Sequence, residues 1–210
     1  MYMKIIYEDE SLLVVDKPAG VVVTDVYPDL FKIHRLDKDT SGVLLIAKDE
    51  KDLIFFQKQF KNREVEKKYI ALVVGNIEQN EGEIETLIGR GVNDRKKQKV
   101  YSPNDPNIAG AREAVTKYKV VQRFREYTLL DVFPKTGRKH QIRTHLAYIN
   151  HPIVGDKVYG FKGQPSPDEM KQHFLHAHCI KLKMLDGEVR EFCSELPSEL
   201  KEIINKLSTL

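Results

Sequence analysis

Short apolar runs separated by turn-forming residues dominate this 210-residue chain. The runs are rich in Val, Ile, Leu and aromatic residues, and Gly, Pro, Asn and Asp stand between them, which is the pattern of β-strands joined by tight turns. Helical spacing of apolar residues occurs in far fewer segments. Turns and hairpins are therefore favoured over crossover helices, and we predict an α+β fold around a mostly antiparallel sheet.

The predicted strands are short and spread over the whole chain. They cover residues 5–6, 12–15, 21–23, 43–47, 68–74, 83–87, 99–102, 114–121, 127–133, 175–184 and 188–192. The predicted helices cover residues 49–62, 137–148 and 198–207. No repeat and no linker rich in Gly, Pro or Ser separates these segments. We therefore expect a single domain, residues 1–210, with a mixed, mostly antiparallel β-sheet and flanking helices.

Composition restricts the class of protein and its expected location. A hydrophobic fraction of 41% is enough to fill a core, so the chain is not a disordered tail. No apolar run reaches the length of a membrane span, and the N-terminus does not look like a secretory leader. Cys179 and Cys193 are the only cysteines. We expect a cytoplasmic protein whose thiols are reduced, without a disulfide framework.

Charge is informative locally and not globally. The net charge is only +3, but basic residues crowd two short stretches, at Arg90, Arg95, Lys96, Lys97 and Lys99, and at Arg138, Lys139 and Arg143. Such clusters can neutralise phosphates even in a nearly balanced protein. Either cluster could equally be a solvated loop or a solvated helix face.

The segment HRLDKDTSG, which starts at His34, places the carboxylate of Asp37 close to Arg35 and ends in turn-forming residues. A neighbouring guanidinium keeps a carboxylate ionised at neutral pH, and an ionised carboxylate can act as a nucleophile. Residue types alone do not separate this interpretation from a structural aspartate in a turn.

The segment from Pro134 to Gly160 begins with a glycine turn that leads into a predicted helix. The free N–H groups of a helix N-terminus, together with Arg138 and Lys139, would suit a phosphate. Helical spacing places Arg143 away from the buried stripe of this helix, which indicates a side chain directed toward a cleft.

Three motifs, in this order, resemble the RluA-type family of RNA pseudouridine synthases: HRLDKDTSG, KKYIALVVG from Lys67, and TGRKHQIRTHL from Thr136. DESLLVVDKPAG, HPIVGDKVYG and FLHAHCIKL support the resemblance, which covers residues 5–200. It implies a single pseudouridine synthase catalytic domain with a central cleft, and an enzyme that isomerises a uridine of ribosomal or transfer RNA.

The resemblance also implies functions for individual residues. Asp37 would be the nucleophile or general base that starts cleavage of the glycosidic bond. Tyr69 would pack against the target uracil, and Arg143 would pair with the catalytic carboxylate. Arg35 would lie near the place left by the flipped base. We predict RNA contacts by Arg35, Arg138, Lys139, His140 and Gln141.

The chemistry implied by the resemblance requires no cofactor. The uracil is detached, turned and rejoined through C5, so no ATP, metal or redox group takes part. Removing the base from the RNA stack costs a few kcal/mol, which arginines near phosphates can offset. We expect a monomer whose partner is RNA, with no membrane association. The interval from KPAG to HRLD is short for this family, and we expect no N-terminal S4-like RNA-binding domain.

Other interpretations of the same residues remain open from sequence. His173, His176, His178 and Cys179 suggest a zinc site, although no further ligand pair completes it. A glycosidase would use Asp37 and Asp39 as paired carboxylates, but the density of cations argues against a neutral sugar. A non-enzymatic RNA-binding module would need the basic clusters and not Asp37.

Overall fold

The structure of the chain, a computed structural model, describes residues 3–22, 27, 29, 31–91, 97–102, 105, 108–167 and 170–207. Its residues fall into two compact units, one formed by residues 1–69 and 175–198, the other by residues 70–174 and 199–210. None of the helices in the described part of the chain is both long and apolar enough to span a bilayer.

The described residues form eleven strands and three helices. In chain order they are β1 Lys4–Glu8, β2 Leu12–Lys17, β3 Phe31–Lys32, β4 Ser41–Ala47, α1 Glu50–Lys61, β5 Glu66–Val74, β6 Glu81–Arg90, β7 Gln98–Tyr101, β8 Arg112–Arg123, β9 Tyr127–Pro134, α2 Gln141–Tyr148, β10 Leu175–Lys183, β11 Val189–Cys193 and α3 Ser198–Lys206.

The first unit is built on a mixed sheet. Its strands follow the order β1, β2, β4 and β10, with β3 paired to β4 and β11 paired to β10. These pairs are antiparallel except for β4 and β10, which run parallel. A parallel pair needs a long connection, and here the whole chain between Ala47 and Leu175 provides it.

The parallel pairing of β4 with β10 depends on a glycine. Gly42 lies opposite Ala177 and has a φ of +111°, which is unfavourable for residues with a side chain. A Cβ at this position would lie 2.2 Å from the backbone oxygen of Ala177. The Ser41–Gly42 pair of HRLDKDTSG is therefore the start of a strand, and not part of the turn that its composition suggests.

The first unit confirms the helix predicted over residues 49–62. α1 begins after Asp49, whose carboxylate caps it by accepting from the backbone N–H of Asp52 at 2.8 Å. Phe56 is fully buried, and Leu53 and Phe60 pack against the same cluster. This cluster also contains residues of β2, β4, β10 and β11, so the helix covers one face of the mixed sheet.

The second unit is built on antiparallel strands in the order β9, β8, β6 and β7. The last residues of β5 belong to it as well, and Val73 forms a bridge with Ile153. α2 packs against β7, β8 and β9, and its residues Ile142 and Leu146 are buried. The predicted α+β class with a mixed, mostly antiparallel sheet is confirmed.

Several boundaries differ from the sequence prediction, which also lacks β3. α2 begins at Gln141 and not near Gly137, because His140 has a left-handed φ of 55° that the helix cannot include. Val21 and Val22 lie outside any strand, and Val23 lies outside the described residues. α3 ends at Lys206, one residue before the predicted end, and Ile203 is its buried residue.

The expectation of two free thiols is wrong in this structure. The register of the β10–β11 hairpin places Cys179 directly opposite Cys193, with 4.1 Å between their Cα atoms, and the two sulfurs form a disulfide. The backbone N–H of Ser194 donates to the carbonyl of His178 at 2.8 Å. The neighbouring Cys pair therefore occupies a non-hydrogen-bonded site, where side chains approach most closely.

We expect Gly42→Ala to lower the free energy of unfolding by about 3 kcal/mol or more. The new Cβ would clash with the backbone of β10, and alanine would also have to adopt an unfavourable φ. Gly110→Ala is the control, since Gly110 has a φ of +82° but no atom within 4 Å of the position that a Cβ would take. Its loss should be only about 1–2 kcal/mol. Urea denaturation compares them, and equal losses would show that the close approach to Ala177 is unimportant.

Candidate active site

Asp37 lies on the loop that connects β3 to β4, where its side chain is partly exposed. Its carbonyl accepts from the backbone N–H of Thr40 at 3.1 Å, which closes a turn immediately after it. The turn brings the chain directly into β4, the most deeply buried strand of the first unit. The candidate carboxylate is thus held at the end of a rigid element.

The side chain of Lys17 stabilises this loop from below. Lys17 is fully buried, and its Nζ donates to the carbonyls of Pro18 at 2.9 Å, Val21 at 3.1 Å and Lys38 at 2.9 Å. Burial lowers the pKa of Lys17 to about 8, and the charges of Asp39 and Asp37 oppose that decrease. At neutral pH the ammonium therefore keeps three N–H groups for three carbonyls.

Sequence reasoning misses Lys17 because the KPAG segment indicates a chain reversal only. The signal available in the sequence is a lysine directly after the apolar run of β2. A lysine in that position continues the strand into the core, where it must find acceptors or lose its charge. It finds them on two loops at once, the KPAG turn and the loop that carries Asp37.

His176 supports the same loop from the other side. It is fully buried, with Nε2 3.1 Å from the carbonyl of Ser194 and Nδ1 2.9 Å from Oγ of Ser41. A carbonyl can only accept, so Nε2 carries the hydrogen. Because burial lowers the pKa of His176, the ring is neutral and Nδ1 accepts from the Ser41 hydroxyl. The start of β4 is therefore tied to the segment after β11.

This network bears on the zinc alternative. His178 shares a face of β10 with His176, and its Nδ1 is also bonded to the Ser194 carbonyl, at 2.8 Å. Among the described residues, the group with ligand atoms close enough for a metal ion is Cys179, Glu191 and Cys193, and it contains no histidine. Both sulfurs of that group are joined in the disulfide.

Tyr69 lies in β5, is partly buried, and packs against the cluster that contains Leu36 and Leu44. Burial raises its pKa well above the usual value, and the negative charge of Asp37 raises it further. The two side chains are thus close enough to interact electrostatically. A phenol with a raised pKa stays protonated at neutral pH, so Tyr69 is suited to packing and hydrogen bonding and poorly suited to accept a proton.

The residues before Asp37 alternate in direction. His34 turns inward, where its Nε2 accepts from the backbone N–H of Leu45 at 3.1 Å and its ring stacks on Phe60. Burial lowers the pKa of His34 to about 3, so the ring stays neutral. Arg35 is exposed, on the outside of the loop.

Arg143, in the second unit, is buried and makes a bidentate ion pair. Its Nε lies 2.7 Å from Oδ2 of Asp156, and its Nη2 lies 2.9 Å from Oδ1. Burial alone would raise the pKa of Asp156, but hydrogen bonds from Arg143 and the positive charge of Arg143 lower it. The side chain of Arg143 is only 7% exposed, so this position of α2 is buried as well, and the direction of the side chain toward a cleft stays a prediction.

Further contacts hold this ion pair in place. Oδ1 of Asp156 also accepts from the backbone N–H groups of Val158 and Tyr159, and the ring of Tyr159 lies 5.1 Å from Cζ of Arg143. Asp156 and Tyr159 belong to the HPIVGDKVYG motif, where sequence reasoning assigns them no function. The sequence feature that could have indicated Asp156 is a carboxylate in a motif that follows a helix rich in cations.

The predicted RNA contacts differ in their exposure. Lys139 is exposed and Arg138 is partly exposed, with Nε of Arg138 donating to the carbonyl of Glu113 at 2.9 Å. His140 has its Nδ1 2.8 Å from Oη of Tyr159. Gln141 is buried, and its amide makes hydrogen bonds within the protein to Thr136, Arg138, Val115 and Thr116. All of these contacts of Gln141 stabilise the protein itself.

The structure brings Asp37 and Tyr69 together in the first unit, with Lys17 and His176 supporting the loop. In the second unit it joins Arg143 to Asp156 and Tyr159, next to the cations before α2. The pairing of Arg143 with Asp37 stays a prediction.

The chain is similar in sequence to known proteins over most of its length. The sequence profile of the RNA pseudouridylate synthase family matches residues 11–148. A ribosomal large subunit pseudouridine synthase D of Borreliella burgdorferi is 38% identical over 92% of this chain and 65% of its own length. An uncharacterised RNA pseudouridine synthase of Aquifex aeolicus is 40% identical over 80% of this chain and 59% of its own length. The chain therefore spans less than two thirds of either relative.

A solved structure shares the fold. Human RNA pseudouridylate synthase domain containing 1 superposes with a TM-score of 0.82, covering 100% of this chain and 97% of that chain, at 24% sequence identity. The arrangement of strands and helices described above is therefore found in that protein.

We expect Asp156→Asn to lower the free energy of unfolding by about 3–5 kcal/mol, because it leaves a buried guanidinium without its countercharge. The control is Asp186→Asn, which breaks the exposed pair with Arg190 and should cost at most about 1 kcal/mol. Chemical denaturation at neutral pH measures both. Similar losses would mean that the Arg143–Asp156 pair contributes no more than a surface contact.

Proposed function

Because the chain belongs to the RNA pseudouridylate synthase family and matches its RluA type, we propose that it isomerises a uridine of RNA to pseudouridine. The observation that carries the proposal is that Tyr69 packs against the buried cluster containing Leu36, the residue next to the partly exposed Asp37, whose charge acts on the phenol. We further propose that both units form one catalytic domain. The family profile supports this, since residues 11–148 include parts of each unit.

The proposed reaction starts at Asp37. The target base leaves the RNA stack, and the carboxylate acts as nucleophile or general base while the bond from C1′ to N1 of the uracil breaks. The uracil turns, and a new bond forms between C1′ and C5. The proton on C5 is lost and N1 regains one, so all atoms are conserved and the proposal includes no cofactor and no metal.

Tyr69 is proposed to hold the detached uracil. An aromatic ring offers a flat apolar surface, and its hydroxyl can hydrogen-bond a uracil carbonyl. Its raised pKa favours this function over removal of the C5 proton. A detached base must be kept from diffusing away before it rejoins the sugar, and packing against a partly buried ring serves that need.

Arg143 is proposed to stabilise the catalytic carboxylate electrostatically. Its guanidinium is already fixed by Asp156, so it requires little reordering when the substrate arrives. Arg35, Arg138, Lys139 and His140 are proposed to contact the RNA, because they lie on exposed or partly exposed loops. Gln141 is left out of this set, since its amide is buried and fully used.

The substrate class is proposed from the relatives. The Borreliella protein is named for the large ribosomal subunit, which favours ribosomal RNA, with transfer RNA as the second candidate. We propose a cytoplasmic monomer that acts on such RNA. Mapping pseudouridines in total RNA from cells that lack the gene, with and without complementation, would identify the modified position.

We expect Asp37→Asn to abolish tritium release from RNA labelled at uridine C5, because an amide is neither a nucleophile nor a base. RNA affinity should change little. Asp39→Asn is the matched control from the same loop and should keep activity within about tenfold of wild type. Wild-type turnover by the Asp37 variant would exclude its catalytic function. Equal losses in both variants would show that Asp37 has no special function among the carboxylates of this loop.

For Arg143→Ala we expect kcat to fall by about a thousandfold, since removing a fixed charge at a reacting carboxylate costs that order of magnitude. Arg143→Lys keeps the charge but loses the bidentate geometry, and it should recover only part of the rate. Single-turnover tritium release at saturating RNA measures the chemical step, and circular dichroism checks that both variants fold. Near-normal rates would make Arg143 a structural residue only.

A further inference from the structure

The hairpin of β6 and β7 in the second unit carries exposed cations. Arg90 ends β6, Lys97 directly precedes β7, and Lys99 lies within it. We call these residues and the two strands the basic hairpin. Nζ of Lys99 lies 4.0 Å from Oδ2 of Asp105, so one of these cations has an acidic neighbour. Exposed cations of this kind neutralise phosphates of nucleic acids without selecting a sequence.

Tyr159 contacts the basic hairpin through its hydroxyl group. Oη accepts from the backbone N–H of Gln98, the first residue of β7, at 2.8 Å. The same Oη lies 2.8 Å from Nδ1 of His140, the residue before α2. Burial raises the pKa of Tyr159, so the hydroxyl is neutral and can accept one hydrogen bond while donating another.

Tyr159 contacts Arg143 through its ring. The ring centroid lies 5.1 Å from Cζ of the guanidinium, within the range of a cation–π interaction. Its backbone N–H donates to Oδ1 of Asp156, the partner of Arg143, at 3.1 Å. One residue therefore bonds the start of β7 with its hydroxyl and covers the proposed catalytic cation with its ring.

We propose that Tyr159 is a positioning residue that couples RNA phosphates bound on the basic hairpin to the orientation of Arg143. This rests on the proposed function, since it assumes that Arg143 acts on the reacting carboxylate. RNA that holds the hairpin fixes the N–H of Gln98 and with it the Tyr159 hydroxyl, and the ring then restricts the guanidinium. The two contacts are chemically separable, because one uses the hydroxyl and the other the ring.

Three variants separate the contacts. Tyr159→Phe removes the hydroxyl and keeps the ring, so the hairpin no longer fixes the ring, and we expect RNA affinity to fall about fivefold and kcat about threefold. Tyr159→Leu removes both, and we expect kcat to fall about tenfold in addition. Tyr148→Phe is the control, because Tyr148 lies on the same helix as Arg143 but is 57% exposed. It should match wild type in both measurements.

Binding is measured by fluorescence anisotropy with a labelled, uridine-containing stem-loop RNA over a range of salt concentrations. Replacing Lys97 and Lys99 by Ala should reduce the slope of log affinity against log salt by about 1.5, since two phosphate contacts are lost. Tyr159→Phe should reduce the slope as well, because the hairpin is no longer held. A merely structural tyrosine would lower stability and leave the slope unchanged.

A double-mutant cycle tests whether the Tyr159 hydroxyl acts on RNA binding through the basic hairpin. If the hydroxyl acts through the hairpin, adding Tyr159→Phe to the Lys97→Ala, Lys99→Ala variant should weaken RNA binding less than about twofold further. Additive effects would overturn the proposal, and so would wild-type RNA binding or wild-type kcat in Tyr159→Phe.

The outcome can be told apart from failure of the proposed function. If the wild-type protein releases no tritium from any uridine-labelled RNA, the enzymatic assignment fails, whereas the binding cycle still tests the hydroxyl and the hairpin. If wild type is active and the cycle is additive, the assignment stands and the coupling fails. Thermal unfolding of each variant, compared at the assay temperature, shows that the measured protein is folded.

Discussion

The parallel pairing of β4 with β10 is the contact on which the first unit depends. It joins the N-terminal strands to a hairpin from the distant C-terminal part of the chain, and it does so where Gly42 approaches Ala177 too closely for any side chain. The same register places Ser41 opposite His176, whose ring reaches on to Ser194. The loop that carries Asp37 enters β4 at this point, so backbone geometry and the candidate site share one constraint.

In both units, buried polar groups hold the candidate site residues in position. Lys17 satisfies carbonyls of two loops with one ammonium, and His176 connects β4 to the segment after β11. In the second unit the guanidinium of Arg143 is held by Asp156 and covered by Tyr159. Each group is costly to bury alone and stable only with its partners, which is why such networks allow a single geometry. Catalysis requires that property, since a fixed charge need not reorganise during the reaction.

Much of the fold can be predicted from sequence, and the errors have identifiable causes. Most strands and the three helices are located correctly because apolar periodicity and turn residues are local signals, whereas β3 is missed and residues 21–22 do not lie in a strand. The predicted start of α2 is too early because nothing local shows that His140 adopts a left-handed φ. The disulfide is missed because reduced thiols are expected from a cytoplasmic location. The register of β10 and β11, which places Cys179 opposite Cys193, is not visible in the sequence. Gln141 is grouped with exposed neighbours although its amide is buried.

For the site, the sequence by itself determined which residues are proposed to carry the chemistry: the carboxylate of Asp37, the aromatic ring of Tyr69 and the cation of Arg143 stand in motifs recognisable by their order. Only the tertiary structure decided how they are held. It set the protonation of Tyr69 through burial and a nearby charge, and it supplied Lys17, His176, Asp156 and Tyr159 as partners. The physical reason is that burial and hydrogen bonding arise between segments far apart in the chain, whereas motifs are read along it.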